Sequence, residues 1–314
     1  MNDLKIQGNP DEQDSFVACI CGVLSSWGRK VEYTRVAGLA GIVFSPVYND
    51  REDCRAWWME GGNDIRIGFL GKALGFSVEE FEREWVGRDK VWNGNPTSEK
   101  IPLKTSEHFD KLKDAVHSGK SVLIDTWPTW SVLTGWNDDV TRLPFETFPS
   151  FLNLVSRAWP PHKTGKAYAL FPTDPSLVVE EADRDALAFG VKVATGSFHS
   201  ENLHYGGLFY RAVAKRLIHE PFCVPCGNES YRCAVRTVKR AVESAKSATV
   251  YLNSVGAEKV VSRYQAICDV LEKYQDGGFL KDFWSDRKFR FEMKDAFLTA
   301  YRIQREAAKE LGRA

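Results

Sequence analysis

The chain has 314 residues, 43% of them hydrophobic, with 42 Lys plus Arg against 42 Asp plus Glu. That length and apolar content supply one large domain or two ordinary ones, and the balanced charge gives no net field toward nucleic acid or an anionic membrane. The opening MNDLKIQGNP lacks a basic flank followed by an apolar run, and no stretch approaches the roughly 20 apolar residues that span a bilayer, so neither secretion nor membrane insertion is expected.

Residues 1–14 are polar, with Gly8 and Pro10, and predict a surface-lying start. From Ser15, a residue suited to cap a helix, the run SFVACICGVLSSW places Phe16, Ile20, Val23, Leu24 and Trp27 on one helical face, and Gly28 supplies the stop. GLAGIVFSPVYN, with Gly38 and Gly41 around an apolar centre, reads as loop and short strand. Helices are predicted from Ser77 to Val86 and from His108 to His117, after which Gly119 and Lys120 turn the chain into SVLID, an apolar run of strand length. WSVLT (130–134) and KAYALF (166–171) are further strands, set apart by Gly135, Asn137, Pro160 and Pro161.

After about Pro175, alanine, lysine and glutamate recur at helical spacing. Helices are predicted over Glu201–His219, Ser230–Asn253, Ala257–Tyr274 and Glu292–Leu311, with Gly277-Gly278 as a turn. The expected class is α+β, with residues 1–175 carrying the sheet and a mostly helical part, 176–314, packed on it. That second part is not expected to fold alone, because Phe291, Phe297, Leu298 and Tyr301 need another surface to cover them.

Seven cysteines are an odd number in a chain too long to need disulfide staples, which suits thiols in a reducing compartment and predicts a cytoplasmic protein. Cys19 stands out: a thiol in the opening turn of a helix lies near the positive end of the helix dipole, which favours the nucleophilic thiolate. It falls at one edge of the Phe16/Ile20/Val23 face, while Cys21 points well away. The alternative for Cys19 is packing, since cysteine is among the most buried residue types.

The segments CICGVLSSWG, GLAGIVFSPVYN and GKSVLIDTWPTWSVLTGWND resemble papain-like proteins related to the N-terminal domain of butirosin biosynthesis protein H. More distantly they are similar to the bacteriocin-processing cysteine peptidases. In such proteins a cysteine opens the central helix, a GxxGxxF element follows, and a strand runs into a TGY(D) turn that carries the second catalytic group. Cys19 stands where the family's cysteine stands, nine residues before Gly28; Gly38, Gly41 and Phe44 match the loop. Thr134, Gly135 and Trp136 match the turn, with Trp for Tyr, and the similarity covers roughly residues 15–140.

The resemblance implies a papain-like domain over residues 1–175, a central helix against an antiparallel sheet. Cys19 would attack an acyl or amide carbonyl of a small-molecule or carrier-bound substrate, giving acyl transfer or hydrolysis without a required cofactor. The chain departs from the family where histidine is expected, having Thr129-Trp130-Ser131 there. A replacement base would come from His199 or His204 in SFHSENLHYGG, with Asp125 at a strand end to orient a polar group. The competing expectation is a non-catalytic ligand- or partner-binding protein that keeps the fold and has lost the base.

A second constellation is His219-x3-Cys223-x2-Cys226-x6-Cys233. The Cys-x2-Cys turn with Pro225 and Gly227 can present two sulfurs to a structural zinc ion, with His219 or Cys233 completing the shell. At most one ion is expected, and simple packing between two helices is the alternative. The ten tryptophans, including Trp57-Trp58, Trp127 and Trp130, are interleaved with apolar residues and read as core rather than a stacking surface. Phosphate-loop, G-x-S-x-G, HExxH and EF-hand patterns are missing.

Overall fold

A computed structural model of the chain describes residues 14–49, 63–81, 107–125, 130–133, 145–146, 167–197, 203–219 and 221–312. The chain divides into two units, Met1–Tyr33 with Arg66–Ser176, and Thr34–Ile65 with Leu177–Ala314. Residues 34–65 group with the second unit. The mixture of helices and antiparallel strands agrees with the α+β expectation, the five-stranded sheet lying in the first unit and one two-stranded sheet among the many helices of the second. Among the described residues no helix is long and apolar enough to cross a membrane.

The first unit opens with α1 (Ser15–Ser26). Its cap is Asp14 rather than Ser15, the Asp14 carboxylate accepting from the Val17 N–H at 3.1 Å. Gly28 then takes φ +78, the left-handed conformation that closes a helix. The Arg29 guanidinium donates to the carbonyls of Leu74, Gly75 and Thr173, which ties the exit of α1 to chain more than forty and one hundred and forty residues later.

Residues Ile67–Leu74 form α2, for which no helix was predicted, and it stops at Gly75 with φ +81. The helix expected from Ser77 is instead strand β1 (Phe76–Phe81), at least as far as residue 81. All six of its residues pair antiparallel with a later strand, and such pairing overrides the helical preference of Glu79 and Glu80. Next come α3 (Glu107–His117), β2 (Ser121–Asp125), β3 (Trp130–Leu133), β4 (Phe145–Glu146) and β5 (Ala167–Pro172).

The five strands make one antiparallel sheet in the order β1-β5-β2-β3-β4. Residues opposite one another in an antiparallel register share a face. Val122, Ile124, Leu133, Ala167, Ala169 and Phe81 therefore line one face, where Leu112 and Ala115 of α3 complete a core cluster. Trp130 and Tyr168 lie on the other face, stacked with centroids 5.8 Å apart, and Phe16 of α1 meets Trp130 edge-on at 5.3 Å. With both faces covered, Val122, Leu123 and Ile124 are all buried, which explains why SVLID reads as a continuous apolar run rather than an alternating one.

Tyr33–Ala40, in the second unit from Thr34 onward, is helix α4, so the loop expected from Gly38 starts only after it, and a 3-10 turn follows at Ile42–Phe44. Gly38 lies inside this helix because the Tyr251 ring occupies the space a Cβ would need. Gly41, at φ +79, meets Phe189 in the same way. Strand β6 (Val47–Asn49) pairs with β7 (Leu203–Tyr205), so residues 203–205 are strand and the helix predicted from Glu201 begins only after them.

The helices of this unit are α5 (Val179–Ala194), which the sequence reading did not place, α6 (Gly207–Leu217), α7 (Ser230–Ser254), α8 (Glu258–Leu271), α9 (Gly277–Phe283) and α10 (Arg287–Leu311). Gly277-Gly278 opens α9 rather than forming only a turn, since the Asp276 carboxylate caps it at 2.7 Å from the Gly278 N–H. α10 packs on α5, α6 and α8, and α7 packs on α8. Phe297 of α10 is buried with Phe209 and Tyr210, while Phe291, Leu298 and Tyr301 are half-buried. Two side chains catch the carbonyls of the 42–44 turn: Ser244 Oγ donates to Val43 O at 2.9 Å and Gln304 Nε2 to Phe44 O at 2.9 Å.

Candidate functional site

Three of the sulfurs converge where α6 ends and α7 begins. Arg216, in the last turn of α6, donates to the carbonyls of Pro221 and Phe222 and so holds the connection against the helix it leaves. The Cys223 carbonyl then accepts from the N–H groups of Cys226 at 3.2 Å and Gly227 at 3.1 Å and from the Ser230 hydroxyl at 3.0 Å. The Cys223 N–H reaches the same hydroxyl at 3.4 Å. Gly227 bends the chain back with φ +49 and ψ −123, a conformation suited to glycine. Cys233 follows in the first turn of α7, near the positive end of its dipole.

The result is that the Sγ atoms of Cys223, Cys226 and Cys233 all lie within 4.8 Å of one another, with Cys226 and Cys233 at 3.3 Å. A disulfide requires about 2.05 Å. A tetrahedral ion with metal–sulfur bonds of about 2.3 Å sets its sulfurs about 3.8 Å apart, inside the observed range. Cys223 and Cys233 are buried and Cys226 is half-buried, and Phe222, next to Cys223 in the chain, meets Trp284 edge-on at 6.1 Å. The donor set is that of a soft, thiophilic cation, and the cluster can bind a metal.

The outer rim is charged. Arg232 pairs with Glu229 at 2.6 Å, and its pKa is raised first by the Tyr231 hydroxyl, then by Glu229, with a smaller contribution from Cys226. His219 is not a member of the sulfur cluster; it lies just after α6, its N–H donating to the Arg216 carbonyl at 3.0 Å. Ser230 was not singled out from the sequence, although a hydroxyl at the start of a predicted helix was the available signal.

The other candidates are distributed differently. Cys19 is 2% exposed, one turn into α1 between the buried Phe16 and Ile20, whereas Cys21 is half-buried. The Ser15 hydroxyl accepts the Trp130 N–H at 2.8 Å, so the start of α1 meets the start of β3. Trp130, 5% exposed, stands at that strand start. Asp125 ends β2 opposite Trp130 in the register.

His204 belongs to the second unit, opposite Tyr48 in the β6–β7 pair, with its ring stacked on Tyr48 at 6.3 Å. His199, Cys54, Thr129, Thr134, Gly135 and Trp136 lie outside the described residues. No protein-family model matches the chain, and no curated protein is similar to it.

Proposed function

We propose that Cys223, Cys226 and Cys233 hold one structural zinc ion and that the chain acts as a zinc-stabilised binding module. The convergence of three sulfurs within 4.8 Å carries this conclusion. Three thiols kept that close would repel one another as thiolates, and a divalent cation removes the repulsion while fixing the turn to the first turn of α7. Water or a ligand supplied by a partner would complete four-coordination. Elemental analysis and native mass spectrometry of protein purified without added metal are expected to give about one zinc per chain. Absence of zinc after incubation with one equivalent under reducing conditions overturns the assignment.

The first unit supports a second reading, a papain-like scaffold used for binding. The resemblance brings a helix start and a strand start together as the seat of a cysteine and a histidine, and the Ser15–Trp130 hydrogen bond joins the corresponding ends of α1 and β3. Thiol-dependent acyl transfer or hydrolysis by Cys19 would need a base at that seat. Trp130 stands there, packed on Phe16 and Tyr168, and Cys19 is buried, which favours the non-catalytic, ligand- or partner-binding branch. Iodoacetamide at limiting concentration tests it: slow labelling of Cys19 in the native protein is expected, and labelling ahead of Cys21 and Cys54 returns the enzyme to favour.

A further inference from the structure

We infer that the same turn is an oxidant-triggered switch, in which a peroxide joins Cys226 to Cys233 and expels the metal. This rests on the zinc assignment. The three cysteines are not equivalent. Cys223 is the anchored one: it is fully buried, and its carbonyl and N–H are both committed to Ser230 and the turn. Cys226 is half-buried on a rim whose neighbours are open to solvent, with Val224 58% exposed and the Arg232 and Glu229 side chains 69% and 54% exposed. A small oxidant therefore reaches Cys226 first.

Cys233 is then the resolving partner. Its sulfur is 3.3 Å from that of Cys226, so closure to a bond of about 2.05 Å requires little more than rotation about the side-chain bonds of two residues. Cys233 is also fixed in the first turn of α7. Cys226 sits on a six-residue 3-10 segment broken at Gly227, which can follow it.

The chemistry balances with hydrogen peroxide as the oxidant. The Cys226 thiolate attacks one peroxide oxygen, the O–O bond breaks, and hydroxide leaves as a sulfenic acid forms. The Cys233 thiolate then attacks that sulfur, the S–OH bond breaks, and a second hydroxide leaves. Two protons from solvent convert the hydroxides to water; two thiolates have been oxidised by two electrons and one peroxide reduced. The metal keeps Cys223 as its only thiolate from the cluster, and a single thiolate does not retain it.

The test uses full-length protein loaded with one equivalent of zinc and checked by native mass spectrometry before oxidant is added. If zinc does not bind at that stage, the zinc assignment fails and the switch falls with it. With zinc bound, hydrogen peroxide is expected to release it to a chromophoric indicator in step with disulfide formation, and non-reducing peptide mapping should join Cys226 to Cys233. Dithiothreitol with fresh zinc should restore the loaded form. Cys226→Ser is expected to lose peroxide-driven disulfide formation at Cys233, with circular dichroism confirming that the variant is folded. Zinc release without a disulfide, or a Cys223–Cys226 disulfide in the wild type, overturns the switch and leaves the zinc assignment standing. Because the mapping is read on the wild type, a variant that fails to fold does not remove the test.

Discussion

Cys19 and the turn at residues 223–233 place the same side chain in opposite settings. Cys19 is one thiol on the packed face of α1, flanked by Phe16 and Ile20, and the start of β3 beside that helix is filled by Trp130. The turn draws three thiols from two elements to within 4.8 Å. Burial does not separate the two cases, since Cys19, Cys223 and Cys233 are all nearly inaccessible. What separates them is convergence: one buried thiol is explained by its packing, whereas three sulfurs meeting at one point need a reason that packing of weakly polar side chains does not supply.

The comparison breaks most visibly at the turn. On the zinc proposal Cys233→Ala removes one of three ligands, and loss of a structural metal belongs among the largest single-residue effects, about 4 kcal/mol or more. In urea unfolding, a chelator should lower the midpoint of the wild type and leave that of Cys233→Ala unchanged; equal chelator sensitivity would put the metal elsewhere.

Next in size is Gly38→Ala. The new Cβ collides with the Tyr251 ring, and overpacking of this kind costs about 1–3 kcal/mol. A neutral substitution would show that Gly38 does not answer to packing in the second unit. For Cys19→Ser, a hydroxyl placed in a buried position costs about 1–2 kcal/mol. Stability within the error of the wild type, together with fast alkylation, would move Cys19 from core to reactive thiol.

The smallest expected effect concerns Cys268, a buried control on α8. Desolvation pushes its thiol from 9.0 up to about 11, against the opposing influence of Lys246. The neutral thiol is thus favoured in the folded state: its contribution is fully present below pH 9.0, the ordinary value, and lost as pH climbs toward about 11. Alkylation of Cys268 should remain slow relative to Cys226 up to the upper part of that window. Rapid labelling at neutral pH would sink the burial argument.

The elements legible in the sequence were those whose pattern is set locally. The apolar run 121–125, the strand at 130–133 and the long helix from Ser230 follow from hydrophobic period and turn residues alone. Residues 77–81 read as helix because SVEEF carries helix-favouring glutamates, and their strand state comes from pairing with residues 167–171. Residues 38–40, read as the start of a loop because Gly38 and Gly41 look like breakers, end a helix instead, and the second unit requires those glycines beside Tyr251 and Phe189.

The metal candidates were legible as spacing, since Cys-x2-Cys closes its own turn. Ser230, which secures Cys223, could be assigned only once the turn was in view, and the place of Trp130 at the start of α1 depends on a contact spanning 115 residues.

The pairing of β6 with β7 has a consequence during synthesis. Residues 47–49 leave the ribosome long before their partners at 203–205, a delay of roughly 10–30 s at ordinary elongation rates. Meanwhile residues 66–176 emerge and complete the first unit with the N-terminal segment, so Val36, Leu39, Val43 and Phe44, all buried in the finished protein, wait without their α7 and α10 surroundings. The nascent chain therefore exposes the apolar residues of 36–44 until their partners arrive. Chaperone capture of ribosome-bound intermediates should peak at lengths between residue 176 and the arrival of α10, and a fragment beginning at residue 177 should inherit the same defect in reverse, an orphaned β7 with no edge to join.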